Sequence, residues 1–119
     1  MAEVRLTLSA RDDIASILAW SYQQFGEQAR QRYQALIIAA IRDAAAASDD
    51  PRLVERPELG ERVVTWHLLN SRFRSTGGRV SRPRHFLMCR FDGDVLVIGR
   101  VLHDAMDVGR HIDPGKDWS

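Results

Sequence analysis

Between residues 29 and 44 the apolar positions recur at helical spacing: Ala29, Tyr33, Leu36, Ile37, Ala40, Ile41 and Ala44 fall on one stripe. The stripe predicts a helix from about Glu27 to Ser48, and the alanines at 39, 40 and 44–47 add helix propensity and permit close approach of a neighbour. Asp49-Asp50-Pro51 ends it, because a residue before proline is pushed out of the helical region. Upstream, Ser9 with Asp12 has the spacing of a capping box, and Asp12 and Asp13 would sit in the first turn, where the helix dipole favours acids. Ile14, Ile17, Leu18, Ser21 and Phe25 continue at helical spacing to Gly26. A link of about two residues makes these helices an antiparallel hairpin.

Strand patterns flank the hairpin. Glu3 to Leu8 alternates polar and apolar residues, as a half-buried strand at or near a sheet edge does. Residues 51–61, with Pro51, Pro57 and Gly60, read as an irregular connection, and Arg62 to Leu68 as the next strand. Arg84 to Phe91 forms a further strand, joined through the turn signal Asp92-Gly93 to a last one from Asp94 to about His103. Strand alternation places Val95, Val97 and Val101 on one face of that last strand and Leu96, Ile98 and Leu102 on the other. Both faces are apolar, so both need cover.

Two stretches lack periodicity. Asn70 to Arg82 reads as a mobile loop carrying four arginines. Its Gly77-Gly78 lacks the strand-to-helix setting and the following Lys-Ser/Thr of a phosphate cradle. The tail from Val108 has room for one helical turn and then frays over about residues 112–119, leaving Trp118 without an obvious seat. The expected fold is α+β: an N-terminal strand, an antiparallel helical hairpin, then a three-stranded antiparallel C-terminal sheet, in a single domain over 1–119. Two helices at ~10 Å spacing cover about four strands at ~4.8 Å, on one face only. The second face then meets a partner chain, or the loop or tail folds over it.

Charge adds a side to this picture. The net charge is only +1, yet residues 62–91 hold seven arginines and no acid, while residues 1–61 hold seven arginines against ten acids. Such a field favours polyanions or an acidic partner. Cys89 is the only cysteine, which excludes an internal disulfide or a zinc site of several thiolates and reads as a small buried hydrophobe. Neither a stretch near the ~20 residues of a membrane span nor a signal pattern is present, so a cytoplasmic location without membrane contact is expected.

Metal-free RNA cleavage needs a base, an acid and cations at the scissile phosphate. His67, His85 and His103 lie on or at the ends of the three C-terminal strands, which also carry Arg62, Arg84, Arg90 and Arg100. Each histidine has an equally simple reading as a core or rim residue with one hydrogen bond. Arg100 could pair with Asp104, with Asp107 or with a partner's carboxylate, while His103 could fix the turn into Asp104–Asp107.

Arg100-Val101-Leu102-His103-Asp104-Ala105-Met106-Asp107 fits the pattern Arg-(Val/Ile)-Leu-His-x-x-Met-Asp. With Asp13-Ile14 and Ile17, Phe25-Gly26, Tyr33, Asp50-Pro51-Arg52, and Pro83-Arg84-His85-Phe86 with Arg90, the chain resembles the ParE-type toxins of the RelE/ParE toxin–antitoxin superfamily over roughly Leu6 to His111. Cys89 stands where that family commonly has tyrosine, and the loop from about Ser71 to Arg82 is longer than in compact members. The resemblance implies a toxin without metal or cofactor, neutralised by a cognate antitoxin of ribbon-helix-helix type that links it indirectly to DNA. ParE-like members are described as poisoning DNA gyrase, and RelE-like relatives as cleaving messenger RNA on the ribosome. Under the gyrase reading no residue is catalytic; Val95, Val97 and Val101, with Arg84, Arg90, Arg100 and His103, are expected to meet the antitoxin. Under the ribonuclease reading the set is His67, His85, His103, Arg84, Arg90 and Arg100, although the tail after Asp107 lacks the tyrosine or other acid–base residue of those nucleases. A third reading is a degenerate, non-toxic module that only binds its partner.

Overall fold

The computed structural model describes residues 2–75 and 80–119. Strand β1 (Glu3–Leu6) leads into helices α1 (Leu8–Phe25) and α2 (Glu27–Ala45). Strands β2 (Val54–Glu55), β3 (Val64–His67), β4 (His85–Asp92) and β5 (Val95–His103) follow, then two single turns of helix, α3 (Val108–His111) and α4 (Pro114–Asp117). The five strands form one sheet in the order β1-β5-β4-β3-β2, with β1 parallel to β5 and the other pairs antiparallel. The α+β class is as expected, but the sheet is larger than the three C-terminal strands: β1 joins it across β5, and Val54–Glu55 adds a short edge in the stretch read as irregular. Among the described residues no helix is long and apolar enough to cross a membrane. Thr76 to Arg79, and with them Gly77-Gly78 of the expected loop, lie outside the described residues.

The first strand is shorter than its alternation suggests because the helix begins earlier. Thr7, not Ser9, is the N-cap: its hydroxyl accepts the Ala10 N–H at 3.1 Å and donates to the Gly99 carbonyl at 2.8 Å. One residue thus turns strand into helix and ties the turn to β5. Gly26, at φ +90°, ends α1 as expected, and the hairpin lays Leu36, Ile37, Ala40 and Ala44 against Trp66, Leu87, Leu96 and Ile98. Ile14, Ile17 and Leu18 pack on this core, whereas Phe25 is 68% exposed and does not. Cys89 is fully buried there, and its burial pushes the thiol up to about 12, leaving an inert apolar group.

Strand β5 breaks its own alternation. The pairing with β4 passes from Met88↔Arg100 to Cys89↔Ile98, so Gly99 has no partner residue and forms a bulge. The extra residue exchanges the faces beyond it. Val101 therefore joins Leu96 and Ile98 under the helices, and Leu102 turns to the opposite face with Phe86 and Met88. This corrects the assignment of Val95, Val97 and Val101 to a common face.

The opposite face is not left open. Met106, Val108, Ile112 and Trp118 of the tail pack over Phe86, Met88, Leu102, Leu59 and Val63. Within residues 112–119, expected to fray, Pro114–Asp117 forms a helical turn, Asp117 is 2% exposed, and the Trp118 ring lies 2.6 Å from where a Cβ on Gly99 would stand. Of the two ways to cover this face, the chain uses its own tail.

Candidate functional site

Arg100 stands just past the bulge and holds three elements together. Its Nε and Nη2 donate to Asp13 of α1 at 2.7 and 3.0 Å, and its Nη1 donates to Asp117 at 3.2 Å and to the His111 carbonyl at 2.6 Å. Asp13 also accepts the Val101 N–H at 3.0 Å, and Asp117 accepts the Asp113 N–H at 2.7 Å. The hydrogen bonds from Asp13 outweigh the cost of burial and raise the arginine's pKa further. Arg100 pairs with neither Asp104 nor Asp107; because α1 starts at Leu8, Asp13 lies beyond the first turn in which it was expected and joins this clamp. Arg90 lies 4.6 Å above the Trp118 ring, a cation–π contact that fixes the tail from the sheet side.

The three strand histidines converge at the other end of β4 and β5. His85 and His103 are register partners whose rings meet edge to face at 5.2 Å, and His67 pairs with Phe86 on the adjoining strand. Tyr33 of α2 reaches His85 with a hydroxyl to Nδ1 distance of 2.6 Å, and the same hydroxyl accepts the Arg84 N–H at 3.3 Å. The Tyr33 hydroxyl has no other acceptor among the described residues, so the arrangement that satisfies it has Tyr33 donating to Nδ1 and the ring proton of His85 on Nε2. Burial, then the neighbouring His103, lowers His85 to about 4, and burial raises Tyr33 to about 12. Both groups are neutral near pH 7.

His67 and His103 fix local backbone. The Nδ1 of His67 accepts the Leu69 N–H at 3.0 Å, and its Nε2 donates to Asp104 at 2.9 Å. The Nδ1 of His103 accepts the Ala105 N–H at 3.0 Å, so this histidine does hold the turn after β5. Asp104 also accepts from Arg84 Nε at 3.0 Å. Burial works against its ionisation, but the bonds from His67 and Arg84 prevail and its pKa is lowered.

Two clefts border this strand end. One, of about 740 Å³, lies between β2, the end of β3 and the start of the tail, and mixes Arg52, Arg56 and His67 with Glu58, Asp104 and Asp107. The other, of about 680 Å³, lies between the helical hairpin and residues 80–85; it brings His85, His103, Tyr33 and Arg84 together beneath Trp20 and Phe25.

The candidates of the sequence thus divide. His85, His103 and Arg84 share a cleft, His67 is linked to them through Asp104, and Arg90 and Arg100 are at the tail. Val95 is half-buried, whereas Val97 is 1% and Val101 3% exposed. Neither of the latter two presents a free surface in this conformation. Tyr33, Asp13, Asp104 and Asp117 were not among the candidates. In the sequence Tyr33 is a member of the α2 stripe and one of the residues that carry the resemblance; its polar tip on an otherwise aliphatic stripe is the further signal of a site role.

The family model for the ParE toxin of the type II toxin–antitoxin system parDE matches residues 4–108. Among solved structures, the chain is similar to "Chromosomal ParDE TA system from P. aeruginosa", with a TM-score of 0.58 and 17% identity over 87% of this chain and 96% of that one. At that identity the likeness is one of fold. No curated protein matches the sequence. The family match spans most of the chain and includes both helices of the hairpin and all five strands except Glu3, and the chain belongs to the ParE toxin family of type II toxin–antitoxin systems.

Proposed function

We propose that this chain is a toxin that acts in the cytoplasm by binding and poisoning DNA gyrase, without catalysis of its own. A cognate antitoxin of ribbon-helix-helix type neutralises it and carries the complex to DNA. The observation that supports a binding role is the engagement of the acid–base candidates by the fold. The Nδ1 of His67, His85 and His103 accepts a hydrogen bond from Leu69, Tyr33 and Ala105 respectively, and Arg84 and Arg100 are committed to internal carboxylates. A general base needs a free lone pair within reach of the proton it takes.

The ribonuclease alternative draws support from one fact: Tyr33, His85, His103 and Arg84 line the same cleft. The two readings separate in one experiment. Purified protein is added to gyrase supercoiling assays and to ribosomes carrying messenger RNA, alongside folded His67→Ala, His85→Ala and His103→Ala variants. Inhibited supercoiling or trapped cleaved DNA, with intact RNA, is the expected result. RNA cutting that one histidine change lowers by the ~10²–10⁴-fold typical of a lost acid or base would replace this proposal with the ribonuclease.

A further inference from the structure

The two edges of the sheet are finished differently. The β2 edge is two residues long and Pro57 follows it after one arginine, so it offers almost no ladder to another strand. The β1 edge is four residues long, with neither proline nor bulge. The Glu3 N–H donates to the Asp94 carbonyl at 2.9 Å and the Thr7 N–H to the Ile98 carbonyl at 3.1 Å, so the odd-numbered residues of this strand bond to β5. Backbone groups alternate in direction along a strand, which turns the N–H and C=O of Val4 and Leu6 outward. Among the described residues no other element takes them up. Leu6 packs on the helical core, so Val4 shares the helix side, where it is 41% exposed. Glu3 and Arg5 share the tail side, where Arg5 reaches the Trp118 carbonyl at 3.5 Å. Both charged residues are exposed, and they enter no ion pair among the described residues.

We infer that the β1 edge pairs with the β1 edge of a second copy of this chain, antiparallel and about a two-fold axis through Val4. In that register the strand is complementary to itself. With Val4 of one copy opposite Val4 of the other, the two valines exchange their outward backbone hydrogen bonds, and Glu3 of each copy stands opposite Arg5 of the other. The Glu3 and Arg5 positions then form non-hydrogen-bonded pairs, in which side chains approach most closely. Two ion pairs close the tail side and two half-exposed valines meet on the helix side. A foreign strand would need an acid and a cation two residues apart in the matching order; this chain carries them already. The contact is isologous and leaves only the short β2 edges outside, so it closes as a dimer and does not propagate. The ladder ends at Ala2, whose N–H is bonded to the Ala45 carbonyl at 3.1 Å. The interface is therefore small and the dimer transient, with a Kd of about 10–100 μM. None of this depends on the antitoxin or on the target.

The test is sedimentation equilibrium of the purified full chain, without an N-terminal tag, from about 1 to about 500 μM. A monomer–dimer equilibrium is expected, and the amides of Val4 and Leu6 should gain exchange protection as concentration rises. Glu3→Arg sets like charges opposite each other twice per dimer, as does Arg5→Glu, and each should weaken association about tenfold or more. An equimolar mixture of these two variants should associate as the parent does, because one chain then offers two cations and the other two acids in register. Val4→Pro removes the central N–H, which has no partner within the chain, and should abolish the dimer while thermal melts show the variant folded. The mixing result decides alone if that variant does not fold. A chain that stays monomeric throughout the range, a dimer indifferent to both reversals, or a mixture as weak as its components overturns the proposal. So does protection of Val4 and Leu6 that appears only when the protein encoded in the adjacent reading frame is added, which would assign this edge to a partner's strand.

Discussion

The two faces of the sheet are closed by different means. Under the helices, an amphipathic hairpin supplies a broad, continuous apolar layer in which Leu36, Ala40 and Ala44 are fully buried against Leu87, Leu96 and Ile98. On the opposite face a short tail does the work with four partly buried apolar side chains, held by one arginine between Asp13 and Asp117 and by one indole set on a glycine. The first closure is spread over many small contacts and has no single point of failure. The second is concentrated in pins. A face sealed by pins can be opened locally without unfolding the rest, because local opening requires only the contacts of that segment to be lost.

The largest effect should come from the distributed layer. Leu36→Ala removes a fully buried side chain from the centre of α2 and should cost ~2–5 kcal/mol, read as a lower denaturant midpoint at constant m-value. The whole molecule should respond, since both the sheet and α1 lean on this helix. A cost below ~1 kcal/mol would mean that the hairpin is not the main closure.

Next in size is the ionic pin. Asp117→Ala strips one carboxylate from Arg100 but leaves Asp13, and the guanidinium retains some access to solvent at 18% side-chain exposure. The full ~3–5 kcal/mol of a broken buried pair is therefore discounted to ~2–3 kcal/mol. Amide exchange should accelerate over residues 109–119 while α2 stays protected. Uniform acceleration through the sheet would show that the tail is part of the global unfolding unit.

The hairpin was legible because its stripe repeats over about four turns, and the strands because β-branched runs and the Asp92-Gly93 signal frame them. Even there the turn moved by one residue: Asp92 pairs with Val95, so Gly93 and Asp94 form the loop, with Gly93 at φ +58°. The tail closure was not legible. Trp118 and Asp117 belong to no periodic pattern, and the site they fill exists only because the Gly99 bulge removes a side chain and turns Arg100 toward them. A bulge depends on pairing between two strands, which one strand's alternation cannot reveal. Likewise His67, His85 and His103 were visible as residues, but their partners Tyr33 and Asp104 come from α2 and from the turn after β5.

Acid should act on the helix side of the strand end. His85 is held near 4, below its ordinary 6.5, by burial and then by His103, and its Nδ1 accepts the Tyr33 proton. The unfolded chain takes up a proton near 6.5 and the folded one only near 4. The stability linked to this group is thus complete above about pH 6.5 and declines as pH falls toward 4. With partial exposure allowed for, the loss by pH 4 should be roughly 2 kcal/mol. His85→Gln should flatten the slope of unfolding free energy against pH in that window. An unchanged slope would assign the acid sensitivity to other groups.

The smallest effect tests the second pin and the logic of the comparison together. Gly99→Ala adds one methyl where the Trp118 ring already stands, 2.6 Å from the new carbon, so either the indole moves or the strand does. If only the tail yields, the cost should be ~1 kcal/mol, at the low end for overpacking, because the far side of the tail is solvent. Trp118→Ala alone loses the indole's contacts with Gly99 and its cation–π contact with Arg90. In the double variant the added methyl meets open space, so Gly99→Ala should then cost less than ~0.5 kcal/mol, and the two changes should be clearly non-additive. Additivity would place the origin of the Gly99 effect in the bulge itself, where the carbonyl of Gly99 accepts the Thr7 hydroxyl, and not in the seating of the tail. The second face would then be governed by the backbone of β5, and the tail would be a passenger on a strand already shaped without it.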